Sequence, residues 1–440
     1  MAQPTQTSAP GVATATDLIK QGTAFAESTL LPPCGQSHRQ YLHGGNWPLL
    51  DPSFSCPACS SQEHHHVGDW LKLAPSNADF AFRLYKQITS EAPKKNIFFS
   101  PISISTAFAM LALGAKSATL TQILEGLAFN LTELQEKEIH DGFHNLIHIL
   151  NHPDSQLQLD MGNALFLKEK LKTLEKFLAD AKNLYEGEAF SINFKNTAEA
   201  QKHINDYVEK KTHGKIVELV KDLDPETAMI LVSYIFFKGK WEKPFLPEDT
   251  KERDFFVDEE TIVKVPMMHR MGRFDLHFDT ELSCTVVQLY YNGSATAFFI
   301  LPNKGKMKQV EDALWKETVS RWSNKMSSLS VVSVQSCPSA HSSPRDFLNT
   351  SRSHQSHLYL QATVLCPELQ CVLYLPQVVH KAVLNIDERG TEASAATAVE
   401  IMPMSVPLNI EFNSPFLVMI FDRTTNSTLF IGKINNPAEP

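Results

Sequence analysis

Hydrophobic residues recur along this chain with several spacings, and each change of spacing marks an element. Phe80, Leu84 and Ile88 fall every fourth residue, with Ala81 and Tyr85 alongside. This predicts an amphipathic helix capped by Ser76 or Asn77. Residues 96–99 read as a short strand. Ser100 then precedes Pro101, a helix cap followed by proline at the first helical position. The next helix, through Ala107, Met110 and Leu113, is apolar on nearly every side and stops at Gly114, so it belongs in the interior. Thr132-Glu-Leu-Gln135 predicts a capping box opening a helix with Ile139, Phe143, Leu146, Ile147 and Leu150 on one face. Leu157, Leu159 and Met161 alternate as a strand, and amphipathic helices are expected near 173–185 and 198–211. Residues 229–237 form an apolar, β-rich run that fits a strand buried on both faces.

Strands are expected at 262–268 and 284–291. The second is joined by Asn292-Gly293 to 295–301, a strong hairpin signal. A mixed-charge helix is expected at 306–322, a strand at 378–384, and closing strands at 408–412, 416–421 and 428–431. Helices come first and strands later, without a βαβ rhythm, which predicts an α+β chain with several sheets.

Two stretches break this texture. Residues 1–75 are rich in Ser, Thr, Pro, Gly and His, have no sustained period, and lack the basic and apolar regions of a signal peptide. A disordered or misassigned leader is expected there. Residues 325–376 are rich in Ser and His, contain three cysteines, and place their apolar residues on no clear face. So long a stretch without its own structure is unusual inside a compact domain. The body therefore reads as residues 76–440, interrupted at 325–376.

A third stretch, Asp387 to Pro407, has two readings. At period two, one face carries Thr391, Ala393, Ala395, Thr397, Val399 and Ile401. These residues are small or β-branched throughout, as suits a strand packed on a core. Gly390 permits a hinge at its start, while Pro403 and Pro407 stiffen its end. The pattern supports both an exposed loop and a buried strand.

At 440 residues, with 43% hydrophobic and 20% charged residues, the chain can bury a sizeable core. A net charge of −9 argues against a general nucleic-acid surface. No stretch reaches the apolar length of a membrane span. Of seven cysteines only Cys284 lies in the patterned body, so no disulfide framework is expected for the core. Cys56-Pro-Ala-Cys59 with His64, His65, His66 and Cys34 resembles half of a zinc set, but no second ligand pair is evident and no metal is expected.

GxSxG, HExxH, P-loop and GxGxxG motifs are absent, so an enzyme is not expected. About half of the 17 histidines fall in the unpatterned stretches. His380, inside a patterned strand, reads as a hydrogen-bonded core histidine. Asn130, Asn292, Asn349 and Asn426 begin Asn-X-Ser/Thr triplets; glycosylation is expected at Asn130, Asn292 and Asn426 if the chain is secreted. Lys210-Lys211 and Lys168–Lys172 are interleaved with acidic or apolar residues and indicate no polyanion site.

Several separate motifs resemble the serpin family, and within it the alpha-1-antitrypsin group. They are Asn96-IFFSPISISTAFAML, Tyr234-IFFKGKWEKPF with Trp241, Val265-PMM, Phe412-NSPFLVMIFD, Phe430-IGK and the hinge Glu388-RGTEASAAT. The resemblance covers roughly 76–322 and 379–437. It implies three β-sheets, about eight or nine helices and an exposed reactive loop. A protease attacks that loop as substrate, and the cleaved loop inserts into the large central sheet; serpin loop insertion is itself a standard illustration of strand addition and of stored strain.

The hinge implied by the resemblance comprises Glu388, Gly390, Thr391, Glu392, Ala393, Ser394, Ala395, Ala396 and Thr397. Counting from it, the attacked bond falls between Met404 and Ser405. An unbranched methionine fits a medium apolar pocket, which implies elastase-like or chymotrypsin-like serine proteases, and its oxidation should weaken that fit. Ser100, Ser103, Ser233 and His380 match polar positions under the central sheet. The family commonly carries asparagine where Ser233 stands, so one buried partner is expected to go unsatisfied.

Residues 325–376 show no counterpart of the central-sheet strand and helix that the family carries there, so an incomplete sheet is expected. The resemblance further implies a secreted, extracellular monomer without cofactor, nucleic acid or membrane partner. The alternatives are a non-inhibitory serpin, carrying a small ligand or acting as a chaperone, and an inert product lacking a sheet strand.

Overall fold

The computed structural model describes residues 68–152, 157–169, 175–337, 377–384, 388 and 407–439. The first helix, α1, spans Asp69–Glu91 and so begins upstream of the expected cap. Pro75 lies inside it and removes one backbone donor. Burial outweighs that loss, because Leu73 is fully buried and Trp70 packs on the same core. The two candidate caps are interior helix residues, and Asn77 is buried.

β1, Ile97–Phe99, leads into α2, Pro101–Ala112. Ser100 caps α2 as expected, its hydroxyl accepting the Ser103 N–H at 3.3 Å. α3 spans Ser117–Gly126 and α4 Glu136–Leu150. The capping contact at α4 lies three residues later than expected. Glu138 accepts the Gln135 N–H at 3.0 Å, while Thr132 is held by the Asn130 carboxamide in a local turn. α5, Glu175–Tyr185, and α6, Thr197–Lys211, stand where their periodicity placed them. The single helix expected at 306–322 is two, α7 at Met307–Asp312 and α8 at Lys316–Lys325.

Thirteen strands are described. β2 is Gln158–Lys168, β3 Glu188–Ile192, β4 Met229–Lys238, β5 Lys251–Phe256, β6 Ile262–Asp279, β7 Cys284–Tyr290 and β8 Ala295–Pro302. β9 is Ser327–Ser336, β10 Gln377–Leu384, β11 Leu408–Phe412, β12 Phe416–Asp422 and β13 Ser427–Ile434. One sheet has nine described strands in the order β1-β13-β12-β8-β7-β6-β9-β11, with β5 on β6. Long β6 joins its parts. One end of β6 pairs with β5, the middle with β9, and the other end with β7. A second sheet has four described strands in the order β10-β4-β2-β3.

β9 corrects the reading of 325–376 as lacking any strand face. Val332 and Val334 alternate into the core, but Ser333 and Gln335 on the other face are buried too. Ser333 meets His269 Nε2 at 3.1 Å and donates to Asn409 Oδ1 at 2.9 Å. Polar residues buried on the second face, Ser333 by hydrogen bonds and Gln335 with an Oε1 unpartnered among the described residues, erase the alternation by which such a strand is recognised.

The largest apolar cluster lies between the sheets around α2 and α4. A second lies under α1, α7 and α8, against β7, β8, β12 and β13. The third packs α6 onto the four-stranded sheet.

Candidate functional site

β4 and β10 are paired in parallel through eight residues, from Gln377 opposite Ile230 to Leu384 opposite Phe237. Both faces of this seam are covered. Ile204 and Val208 of α6 pack over Ile230, Val232 and Val379 on one face. On the other, Leu231, Ile235 and Ala382 join the cluster that contains α2.

Within the α2 side lies a polar cluster of Ser100, Ser103, Ser233 and His380. Ser233 and His380 are direct neighbours across the seam. The Ser100 N–H donates to His380 Nε2 at 3.3 Å, so that nitrogen carries the lone pair. Nδ1 therefore bears the proton and faces Ser233 Oγ at 3.4 Å. Ser233 Oγ donates to the Ser103 carbonyl at 3.1 Å and lies 2.7 Å from Ser103 Oγ, which leaves Ser103 as donor in that contact. Burial pushes the His380 imidazole down to about 3, so it stays neutral at physiological pH.

Sequence reasoning missed Asn163. It is buried on β2 directly opposite Ser233, and its Oδ1 has no hydrogen-bond partner among the described residues. The four predicted residues are all hydrogen-bonded among themselves, and the unpartnered acceptor lies on the neighbouring strand, outside that network. No local signal marks it, because the pairing joins residues from distant parts of the chain.

Beyond α6, the cover is fastened by polar contacts. Lys211 Nζ meets Glu188 Oε1 at 2.5 Å, and Asp160 lies 3.2 Å from His213 Nε2. Asn205 Oδ1 accepts the Leu219 and Val220 N–H groups, both at 2.9 Å. Gly162 marks a close approach, since a Cβ there would lie 2.3 Å from the Tyr234 hydroxyl.

Past the end of β10, Glu388 is clamped twice. Its carbonyl accepts the Phe245 N–H at 2.6 Å and its Oε1 accepts the Thr250 hydroxyl at 2.6 Å. The turn supplying these donors follows β4, where Trp241 stacks on Tyr291 with centroids 4.1 Å apart. The remaining hinge residues, Gly390, Thr391, Glu392, Ala393, Ser394, Ala395, Ala396 and Thr397, lie outside the described residues, as do Met404 and Ser405. Asn130 and Asn426 are exposed, Asn292 is half-buried, and Asn349 lies outside the described residues. Among the described residues no helix is long and apolar enough to cross a membrane.

Residues 75–437 match the family model described as Serpin (serine protease inhibitor). The chain is 52% identical over 391 residues to Alpha-1-antiproteinase 2 of Equus caballus, covering 87% of this chain and 93% of that protein. It is 50% identical over 388 residues to Alpha-1-antitrypsin of Sus scrofa, covering 86% and 90% respectively. Among solved structures, human thyroxine-binding globulin aligns with a TM-score of 0.75 at 41% identity, covering 84% of this chain and 100% of that one. Human kallistatin aligns with a TM-score of 0.73 at 43% identity and the same two coverages.

Proposed function

Because this chain belongs to the serpin family, we propose that it is a serine-protease inhibitor acting as a suicide substrate. The observation that carries this reading is the continuity of β10 with the clamped Glu388 and then with the small, alternating residues that begin at Thr391. The protease serine attacks the Met404 carbonyl and forms an acyl-enzyme, expelling the amine of Ser405. The freed loop, still joined to β10, enters between β4 and β10 as an antiparallel strand and draws the protease with it. Insertion buries the Thr391-to-Ile401 face, which holds no charged side chain and so adds no desolvation cost of that kind.

Pro403 and Met404 favour elastase-like or chymotrypsin-like proteases, with the protein acting as an extracellular monomer. The antiproteinase names of its relatives support the inhibitory reading. A likeness to thyroxine-binding globulin keeps a carrier as the rival.

Incubation with neutrophil-type elastase and with chymotrypsin is the test. The expected product is a complex that survives denaturing electrophoresis and is lost in Thr391→Arg, which places a charge on the inserting face. Cleavage after Met404 with no complex would remove the inhibitor reading.

A further inference from the structure

The turn Asn292-Gly293-Ser294 carries a chemistry that the inhibitory mechanism does not use. It is a glycosylation triplet, and it also sets a carboxamide directly before a residue that has no side chain. The turn joins β7 to β8, with the Tyr291 N–H donating to the Ala295 carbonyl at 3.2 Å. Asn292 is half-buried, and Gly293 is exposed with φ at +105°.

The turn is anchored on either side of the atoms that could react. The Asn292 N–H donates to the Lys240 carbonyl at 2.7 Å. Arg423 Nη2 donates to the Gly293 carbonyl at 2.7 Å and Nε to the Ser294 carbonyl at 3.1 Å. The Ser294 hydroxyl donates to Asp422 Oδ1. Among the described residues, neither the Asn292 carboxamide nor the Gly293 N–H makes a hydrogen bond. Asn130 is the contrast. Its Nδ2 donates to Glu133 at 2.8 Å, its Oδ1 accepts the Thr132 hydroxyl at 2.7 Å, and branched Leu131 follows it.

We propose that Asn292 is a self-modifying site, converting to aspartate and isoaspartate in chains that carry no glycan there. The Gly293 backbone nitrogen attacks Asn292 Cγ and closes a succinimide ring. The Cγ–Nδ2 bond breaks, and ammonia leaves with the proton from the Gly293 nitrogen. Water then opens the ring. Opening at Cγ leaves aspartate. Opening at the main-chain carbonyl leaves isoaspartate, whose backbone runs through Cγ and is longer by a methylene. A side chain on the attacking residue would crowd this approach, and glycine presents none.

Glycan and ring closure compete for one nitrogen, Nδ2. Folding closes the first route, because the Ser294 hydroxyl that the triplet requires is tied to Asp422 once β12 has docked. A chain not glycosylated by then keeps only the second. The change also reaches the turn after β4, since Asn292 holds Lys240 and the Glu242 N–H donates to the Tyr290 carbonyl at 2.8 Å. A longer backbone at 292 loosens that join.

The test ages the full chain, made without glycosylation, for weeks at body temperature and mildly alkaline pH. Peptide mapping by mass spectrometry, with isoaspartate methyltransferase labelling, follows each asparagine. Asn292 is expected to lose its amide about tenfold or more faster than Asn130 and Asn426 in the same digest, with isoaspartate among the products. Higher pH should speed the loss and Gly293→Ala slow it. The reference asparagines sit in the same molecules, so the comparison stands even where that variant fails to fold. Chains from a glycosylating host, mapped as intact glycopeptides, should keep the amide wherever Asn292 carries sugar. Hydrogen exchange in 240–245 should quicken in the isoaspartate fraction. Equal rates at the three asparagines, or amide loss beneath a glycan, would overturn the proposal, and unchanged exchange would overturn its reach to the turn after β4.

Discussion

β12 and β13 run antiparallel in the nine-stranded sheet, flanked by β8 and β1. Nearly every residue of the pair is buried, and their rings join aromatic stacks such as Phe98 with Phe430, 5.3 Å between centroids. β4 and β10 run parallel, and β10 has one hydrogen-bonded neighbour among the described residues. Their seam is also apolar on both faces, but under its middle sit Ser100, Ser103, Ser233 and His380. Parting β12 from β13 would expose apolar surface on all sides. Parting β4 from β10 exchanges the slightly weaker parallel ladder for another set of strand bonds, and disturbs a cluster of neutral hydrogen bonds. Sheets of similar composition thus differ in how readily they open, through pairing direction and a few polar positions.

The largest effect is expected where the closed ladder is damaged. Phe416 is buried against Phe299 and Phe412. Phe416→Ala should cost about 3–5 kcal/mol by cavity formation, read as a shift in the urea midpoint. A loss under about 1 kcal/mol would mean that β12 is not the rigid partner in the comparison.

The seam should respond to acid instead. His380 is held neutral down to about 3, well below the usual histidine value, so the unfolded chain takes up a proton that the folded chain refuses. Its contribution is complete above the ordinary histidine pKa and is lost as pH falls toward 3. About 2 kcal/mol should be gone by pH 5 relative to pH 7. Urea unfolding across that range, in the parent and in His380→Gln, checks this; equal pH slopes in the two proteins would refute it.

The smallest expected effect is a gain. Ser233→Asn offers an amide to Asn163 Oδ1 across the β2–β4 pairing. Satisfying that buried acceptor should add about 1 kcal/mol and slow amide exchange in 229–238 and 377–384. Faster exchange would show that the serine hydroxyl is the better partner for His380.

Much of this architecture could be read in advance where a regular period ran far enough. The interior helix α2 with its Ser100 cap, the buried β4, the Asn292-Gly293 hairpin and the closing strands all stand close to where the pattern put them. Errors arose where long-range packing overruled a local signal. Ser76 and Asn77 suggested a helix start, yet buried Leu73 extends α1 upstream of them. Ser333 and Gln335 hid β9 by being buried although polar.

The sequence by itself determined the order and kind of most elements, the small-residue stretch after Glu388, and the motifs that identify the family. These are short-range properties, encoded in spacings of two to four residues and in runs of adjacent residues. Only the tertiary structure decided that Ser100 donates to His380, 280 positions away, that Asn163 Oδ1 lies opposite Ser233 without a partner among the described residues, and that Phe245 and Thr250 hold Glu388. Such contacts depend on which strands become neighbours. Strand pairing is settled by packing of the whole core, and no local period along the chain records it.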